Sequence, residues 1–244
     1  MRQVLFYLIP IVLFGISQSQ GGNPEWMAND RSLARMINAF VSQDQSQNVQ
    51  SESSKSSLYL QFNTSGLYSS LTDWKNQLHL ADGTRPSGKS IVFGAEAGWV
   101  IDRYIQVGIG YEFFFTTKVS TVEATGDQIN STYFYGSLRG SIPLESIQNL
   151  SIFGSIDAGS LSTTEVMENY YGLNFNKTGS TTAYRFLAGA QYFILDNWSI
   201  MAGTGYFLGK VNKVVADGQT WPNFALDLSG FVLRFTVNYH FLLS

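Results

Sequence analysis

Residues 230–241 alternate between apolar and polar side chains with a period of two. The apolar set is Phe231, Leu233, Phe235, Val237, Tyr239 and Phe241, and Arg234, Thr236, Asn238 and His240 lie between them. A period of two places each set on its own face of a β-strand, whereas a helix would scatter both sets. The segment therefore predicts a long strand with one apolar and one polar face.

Earlier parts of the chain repeat this pattern. About eight strand-like segments follow residue 57, the smallest even number common in membrane barrels. We place them at 58–63, 91–100, 105–119, 132–144, 150–163, 182–195, 198–211 and 224–241. Short connections at 102–104, 145–149 and 196–197 alternate with longer ones at 64–90, 123–130, 167–181 and 216–223. The prediction is an all-β fold, an eight-stranded antiparallel transmembrane β-barrel with both termini at the short-turn, periplasmic side.

The composition excludes several classes of protein. The chain has no cysteine, so disulfide frameworks and thiolate metal sites are ruled out. Its formal net charge is −3, and no basic stripe with interleaved aromatic residues occurs, so no nucleic-acid partner is expected. The high glycine and aromatic content and the low charge suit a barrel better than an ordinary enzyme domain.

The N-terminal part is predicted to lie outside the barrel, which we assign to residues 58–244. Arg2 and the short apolar run after it predict a secretory signal peptide at 1–20, with a retained membrane anchor as the alternative. Residues 21–57 form a periplasmic segment, a short amphipathic helix at 24–42 followed by a Gln/Ser-rich linker at 43–57. That helix could pack on the barrel rim, anchor at the interface, act as a periplasmic clamp or plug the lumen.

One parity of the predicted strands forms an apolar, lipid-facing surface without charge. It contains Phe93, Ala95, Ala97, Trp99, Ile105, Val107, Ile109, Tyr111, Phe113, Phe115, Phe134, Leu138, Ile142, Ile152, Ile156, Tyr184, Phe186, Tyr192, Ile194, Trp198, Ile200, Tyr206 and Leu208. The alternative, a soluble β-sandwich, would carry Lys or Glu on its solvent face. At the short-turn end we predict an aromatic girdle of Trp99, Tyr192, Trp198, Tyr239 and Phe241.

The opposite parity carries three acids and three bases at similar depth. They are Glu96, Glu112, Asp157, Arg139, Arg185 and Arg234. An eight-stranded barrel is just wide enough for side chains to fill it, and buried charges are costly unless they are paired. We therefore predict a salt-bridge network that closes the lumen. The alternative is a gated narrow pore in which the pairs rearrange.

Apolar residues also point inward. Phe114, Tyr133, Tyr135, Leu187 and Phe207 could line an apolar pocket for a small hydrophobic ligand, or simply pack together. In the last predicted strand, Phe224, Leu226 and Leu228 are expected to face lipid. The apolar residues from Phe231 onward have the opposite parity, so a bulge at Ser229 and Gly230 is required, and it would turn Asp227 inward.

The chain resembles the small outer-membrane β-barrel superfamily, which includes OmpX, the membrane domain of OmpA, and OmpW. The resemblance covers roughly residues 57–241. It lies in Phe93-Gly94-Ala95-Glu96-Ala97-Gly98-Trp99, Val107-Gly108-Ile109-Gly110-Tyr111, Leu187-Ala188-Gly189-Ala190-Gln191-Tyr192 and the last strand through Phe241. It implies a cell-envelope barrel in the outer membrane and recognition of the terminal Phe by the barrel-assembly machinery. The chain departs from the pattern in Leu242-Leu243-Ser244 and in its N-terminal helix.

We expect a structural or interaction protein rather than an enzyme. Its partners would be outer-membrane lipid and a protein bound through the exposed loops or the N-terminal helix, and no cofactor or metal is expected. The alternatives are a narrow OmpW-like channel for small hydrophobic molecules and a lipid A-modifying enzyme. The chain has only two histidines, His79 and His240, which lie at opposite ends of the predicted barrel, and no spacing of Ser, His and Asp singles out a catalytic triad.

Overall fold

The structure is a computed structural model. It describes residues 57–77, 88–102, 104–116, 118–120, 126–144, 146–216, 219–221 and 224–242. The predicted signal peptide, helix and linker lie outside the described residues. Among the described residues, no helix is long and apolar enough to cross a bilayer.

The described part consists almost entirely of strands. They are β1 (Ser57–Ser69), β2 (Lys89–Asp102), β3 (Ile105–Thr116), β4 (Gly126–Pro143), β5 (Leu150–Tyr170), β6 (Leu173–Leu195), β7 (Trp198–Leu208), β8 (Lys210–Val211), β9 (Val214–Ala216), β10 (Gln219–Trp221), β11 (Leu226–Asp227) and β12 (Gly230–Leu242). One short helix, α1 (Thr72–Gln77), follows β1.

Eight of these strands form a closed antiparallel ring. Each of β1 to β6 pairs with the next strand in sequence, β7 pairs with β12, and β12 pairs with β1, where Ser57 lies opposite Leu242. The predicted eight-stranded barrel is therefore confirmed. We call the end that carries the short connections, Ser57 and Leu242 the turn end, and the opposite end the hairpin end.

The alternation of the last strand determines which side chains face the interior. In β12, Phe231 and Val237 are exposed on the outer wall, whereas Arg234 and Thr236 are buried inside. The other ring strands show the same period, and their large apolar side chains form an outward belt. Because polar side chains occupy the opposite face, this barrel is apolar outside and polar inside, the reverse of a soluble domain.

Several strands extend further toward the hairpin end than predicted. β1 continues to Ser69, and β4 starts at Gly126. The loop expected at 167–181 is wrong, since β5 and β6 form one long hairpin that turns at Tyr171 and Gly172, both with positive φ. Polar residues and Gly make up most of these extensions, so no apolar alternation marks the period of two that cross-strand pairing preserves.

The predicted orientation of Phe224, Leu226 and Leu228 toward lipid is also wrong. All three are buried, and Asp227 is only partly so. The strand is interrupted at Leu228 and Ser229, between β11 and β12. Even-numbered residues face inward both before and after this interruption, so the inward-facing parity does not change. The reason is that the interior becomes apolar toward the hairpin end, where an inward apolar side chain is favourable.

A cap covers the hairpin end of the barrel. It consists of residues 70–77, which include α1, and residues 224–229, which include β11. The two segments are joined by backbone hydrogen bonds from Ser70 N to Ser229 O at 3.1 Å and from Leu71 N to Asp227 O at 3.0 Å. Their apolar side chains, among them Leu71, Trp74, Phe224, Leu226 and Leu228, belong to the buried hydrophobic core.

Candidate functional site

The six charged residues predicted for the lumen lie together inside the ring. Glu96 is on β2, Glu112 on β3, Arg139 on β4, Asp157 on β5, Arg185 on β6 and Arg234 on β12. None of them is more than 4% exposed. We call these six residues the ion network. Their formal charges cancel, three against three.

Arg185 makes the shortest contacts in the ion network. Its Nη1 donates to Glu112 Oε2 at 2.5 Å, and its Nε donates to Asp157 Oδ2 at 2.7 Å. Asp157 is directly opposite Arg185 in the β5–β6 register. The guanidinium carbon also lies 4.9 Å from the centre of the Tyr135 ring. One guanidinium thus makes charge-assisted hydrogen bonds to two carboxylates from two strands, and such bonds are stronger than those between neutral groups.

Arg234 links the three acids. Its Nη2 lies 3.2 Å from Glu112 and 3.8 Å from Glu96, and its Nη1 lies 3.7 Å from Asp157. With its amide turned to satisfy both neighbours, Asn63 donates to Glu112 at 3.2 Å and accepts from Arg234 at 2.8 Å. The last strand is therefore connected to β2, β3 and β5 across the lumen.

Arg139 is held mainly by amide groups. It donates to Gln61 Oε1 at 2.9 Å and to Gln106 Oε1 at 3.0 Å, while Glu96 lies 3.5 Å away. Tyr59 donates to the same Glu96 at 2.6 Å. These neutral partners satisfy several of the donors and acceptors that the ion pairs leave over, although Arg139 Nε has no hydrogen-bond partner among the described residues.

Tyr135 stands at the centre of the ion network. Its hydroxyl lies 3.1 Å from both Glu96 and Glu112, and it accepts a hydrogen bond from Arg234 at 3.2 Å. Gly110 provides room for this ring, because a Cβ at that position would lie 2.3 Å from the Tyr135 Cζ atom. Gly110 on β3 is thus required to make room for Tyr135 on β4.

Toward the hairpin end, the predicted pocket residues pack against one another. The ring centres of Tyr133 and Tyr135 are 4.9 Å apart, those of Phe114 and Phe207 are 5.4 Å apart, and Leu187 is buried beside them. A cavity of about 10 Å³ next to Leu187 has room for about one water molecule. In this conformation the five side chains fill the space that a ligand would need.

Toward the turn end, the interior holds a neutral polar cluster. Ser199 Oγ accepts from Gln191 at 2.8 Å and from Asn238 at 3.1 Å, and it lies 3.3 Å from His240 Nε2. Since two amides already donate to this oxygen, its own proton is free to point to His240. Ser199 is fully buried, so this Ser–His contact satisfies the hydroxyl rather than exposing a nucleophile. His79 lies outside the described residues.

The predicted girdle residues face outward near the turn end. Trp99, Tyr192, Trp198 and Phe241 are exposed, and Tyr239 is partly exposed. The ring centres of Trp198 and Tyr239 are 4.9 Å apart, and those of Tyr239 and Phe241 are 4.7 Å apart.

A second charged group, which the sequence analysis missed, lies near the cap. Asp127 on β4, Glu165 on β5 and Lys177 on β6 are buried, and we call them the outer triad. They share the inward parity of Asp157 and Arg185, so extending the strands past their expected ends would have found them. The part of the chain that the structure describes contains no group of three or more His, Cys, Asp or Glu side chains placed to hold a metal.

Comparison with known proteins identifies the family. The family model of the outer membrane protein beta-barrel domain matches residues 38–241. The chain belongs to this family. It is therefore a protein of the bacterial outer membrane, and the belt of exposed apolar side chains faces lipid.

Two solved structures are similar to this chain, and the first of them shares its fold. Neisserial surface protein A is 13% identical, with a TM-score of 0.51, and the match covers 75% of this chain and 96% of that one. Ail of Yersinia pestis is 13% identical, with a TM-score of 0.44, and the match covers 77% of this chain and 98% of that one. No curated protein matches the chain.

Proposed function

We propose that this outer-membrane barrel is a closed structural or surface-contact protein whose lumen is sealed by the ion network. One observation carries the proposal. Every charge of the ion network is buried and lies within 4 Å of at least one opposite charge. An ion crossing the lumen would have to separate such pairs, and leaving one partner of a buried pair unpaired costs about 3–5 kcal/mol.

The layers on either side support a closed lumen. The packed aromatic side chains and the cap lie toward the hairpin end, and the neutral cluster around Ser199 lies toward the turn end. Short turns face the periplasm in barrels of this kind, so we assign the turn end and both chain ends to the periplasmic side.

A contact role is supported by the hairpin of β5 and β6. Its tip carries Tyr171 and Leu173, which are 77% and 73% exposed. Large apolar side chains at an exposed tip are typical of contact surfaces. We assign this tip to contacts outside the cell.

Recording from the full-length protein in planar lipid bilayers tests the closed lumen. The wild type is expected to give no steady conductance. Exchanging Arg139 or Arg185 for glutamate should make the barrel unfold more readily than the wild type. Steady conductance in the wild type would overturn the proposal in favour of a narrow channel.

A further inference from the structure

The outer triad lies beyond the lipid-facing belt. Glu165 is opposite Ile129 on one side and opposite Lys177 on the other. From Leu150 at the turn end to Glu165, β5 runs about 50 Å along the strand, which at a tilt of about 40° is a height of about 38 Å, whereas the lipid-facing belt of such barrels is about 25 Å tall. The flanking residues, Thr164 and Thr178, are polar as well.

Two members of the outer triad each contact a different segment of the cap. The Trp74 indole of α1 donates to Asp127 Oδ1 at 3.1 Å. The Lys177 ammonium lies 4.3 Å from the centre of the Phe224 ring. These are the two segments that backbone hydrogen bonds join to each other. The outer triad therefore connects the barrel wall to both halves of the cap.

The charges of the outer triad do not cancel. Lys177 Nζ lies 3.1 Å from Glu165 Oε2, and the two carboxyl groups are within hydrogen-bonding reach of each other. One ammonium cannot neutralise two buried carboxylates, and within the described part of the chain Asp127 Oδ2 has no other hydrogen-bond partner. A proton on Glu165, donated to Asp127, would balance the charge and satisfy this oxygen.

Among the described side chains, the other charged groups on the packed elements do not provide the missing charge. Lys75 of α1 donates to the backbone oxygen of Ser69. Asp227 of β11 accepts from Ser229 N. Lys210 of β8 is exposed.

We propose that Asp127, Glu165 and Lys177 form a proton-controlled latch, which holds the cap closed while Glu165 is protonated and loosens it when Glu165 ionises. The ligand of this site is the proton itself. The latch regulates access to the hairpin end of the barrel and is independent of the ion network, so the lumen could be sealed whether or not the latch operates.

The expected pH range follows from burial. Burial raises the pKa of Glu165 to about 7 from an ordinary value of 4.5, since the attraction of Lys177 only partly offsets the loss of water and the charge of Asp127 adds to it. Burial also raises the pKa of Asp127. The closed cap thus holds its proton more tightly than the open cap. Protonation therefore stabilises the closed cap fully below about pH 4.5, and this stabilisation is lost as the pH rises to about 7. Over this range the equilibrium constant for closing changes by about 10²–10³-fold.

Hydrogen exchange of the full-length protein in phospholipid vesicles tests the latch. Protection factors for residues 70–77 and 224–229, corrected for intrinsic exchange, are measured at pH 5 and pH 8.5. With a pKa of about 7 in the closed cap and an ordinary value of 4.5 in the open cap, the wild type should lose about 10²-fold protection between these two pH values. In Glu165→Gln the loss should disappear, because a neutral amide leaves Lys177 and Asp127 as a balanced pair.

Glu168→Gln is the matched control. Glu168 lies on the same strand, but it is about half exposed and pairs with Lys118. This variant should keep the pH response of the wild type. Asp127→Asn retains the acceptor for Trp74 and should also remove the response, which provides a second variant if Glu165→Gln folds poorly. Unchanged protection of the wild-type cap between the two pH values would overturn the latch, as would a full response in folded Glu165→Gln.

Discussion

Two ion pairs of equal length in this protein should differ greatly in their effect on stability. Arg185 and Glu112 lie 2.5 Å apart and are almost completely buried, whereas Lys118 and Glu168 lie 2.5 Å apart with side chains 49% exposed. Distance is therefore matched, and burial is the variable. Replacing each cation by methionine tests how burial affects the cost of leaving a carboxylate unpaired.

The Arg185→Met variant removes one contact from Glu112 and two from Asp157. Arg234 remains 3.2 Å from Glu112 and 3.7 Å from Asp157, so both acids keep weaker partners. Breaking a buried pair costs about 3–5 kcal/mol of the free energy of unfolding. The Lys118→Met variant should cost at most about 1 kcal/mol, because water solvates the released Glu168.

Equilibrium urea unfolding in phospholipid vesicles measures both values. A double variant, Arg185→Met with Asp157→Asn, provides a further check. Arg185→Met alone leaves the ion network with one excess negative charge, and the second change restores its balance. The double variant should therefore lose less than the sum of the two single changes, with a coupling of about 0.5–3 kcal/mol.

Two results would refute this reasoning. One is a cost below about 1 kcal/mol for Arg185→Met, which would mean that water reaches the ion network. The other is strict additivity in the double variant, which would mean that Arg185 and Asp157 do not interact.

Two further predictions concern Tyr135. Gly110→Ala should lower the free energy of unfolding by about 1–3 kcal/mol, because the new methyl group would overlap the Tyr135 ring. Gly136→Ala is the control: its Cβ would meet its nearest atom at 4.0 Å, so the free energy of unfolding should change by less than about 0.5 kcal/mol. Tyr135→Phe should cost about 1–3 kcal/mol, because Glu96 and Glu112 lose a shared hydrogen-bonding partner. Urea unfolding in the same vesicles measures the effect of each variant. Equal losses for Gly110→Ala and Gly136→Ala would contradict the prediction for Gly110.

The sequence predicted the membrane-spanning part of the fold well because lipid imposes a simple rule there. An apolar side chain such as Phe231 must face outward, and a charged one such as Arg234 must face inward. The same rule gave the ring of strands and indicated which charges could share the lumen. It did not provide the individual pairs, because strand tilt and stagger determine which charges meet.

The rule fails beyond the bilayer, where the barrel has an apolar interior of its own. Phe224, Leu226 and Leu228 were assigned to lipid because they are apolar, although they form part of the core under the cap. Asp127 and Glu165 were missed for a related reason, since their strands were ended where the apolar side chains ended. Strand pairing continues past that point regardless of hydrophobicity.

The ring closes between the segments that are farthest apart in the chain. Each of the 13 residues of β1 has a partner on β12. Until the last strand is in place, β1 has an unpaired row of amides and carbonyls, which hydrocarbon cannot solvate. Folding of this barrel in the bilayer is therefore cooperative. An intermediate that lacks β12 is unstable in hydrocarbon, and its free strand edge must be kept out of the bilayer until β1 and β12 pair.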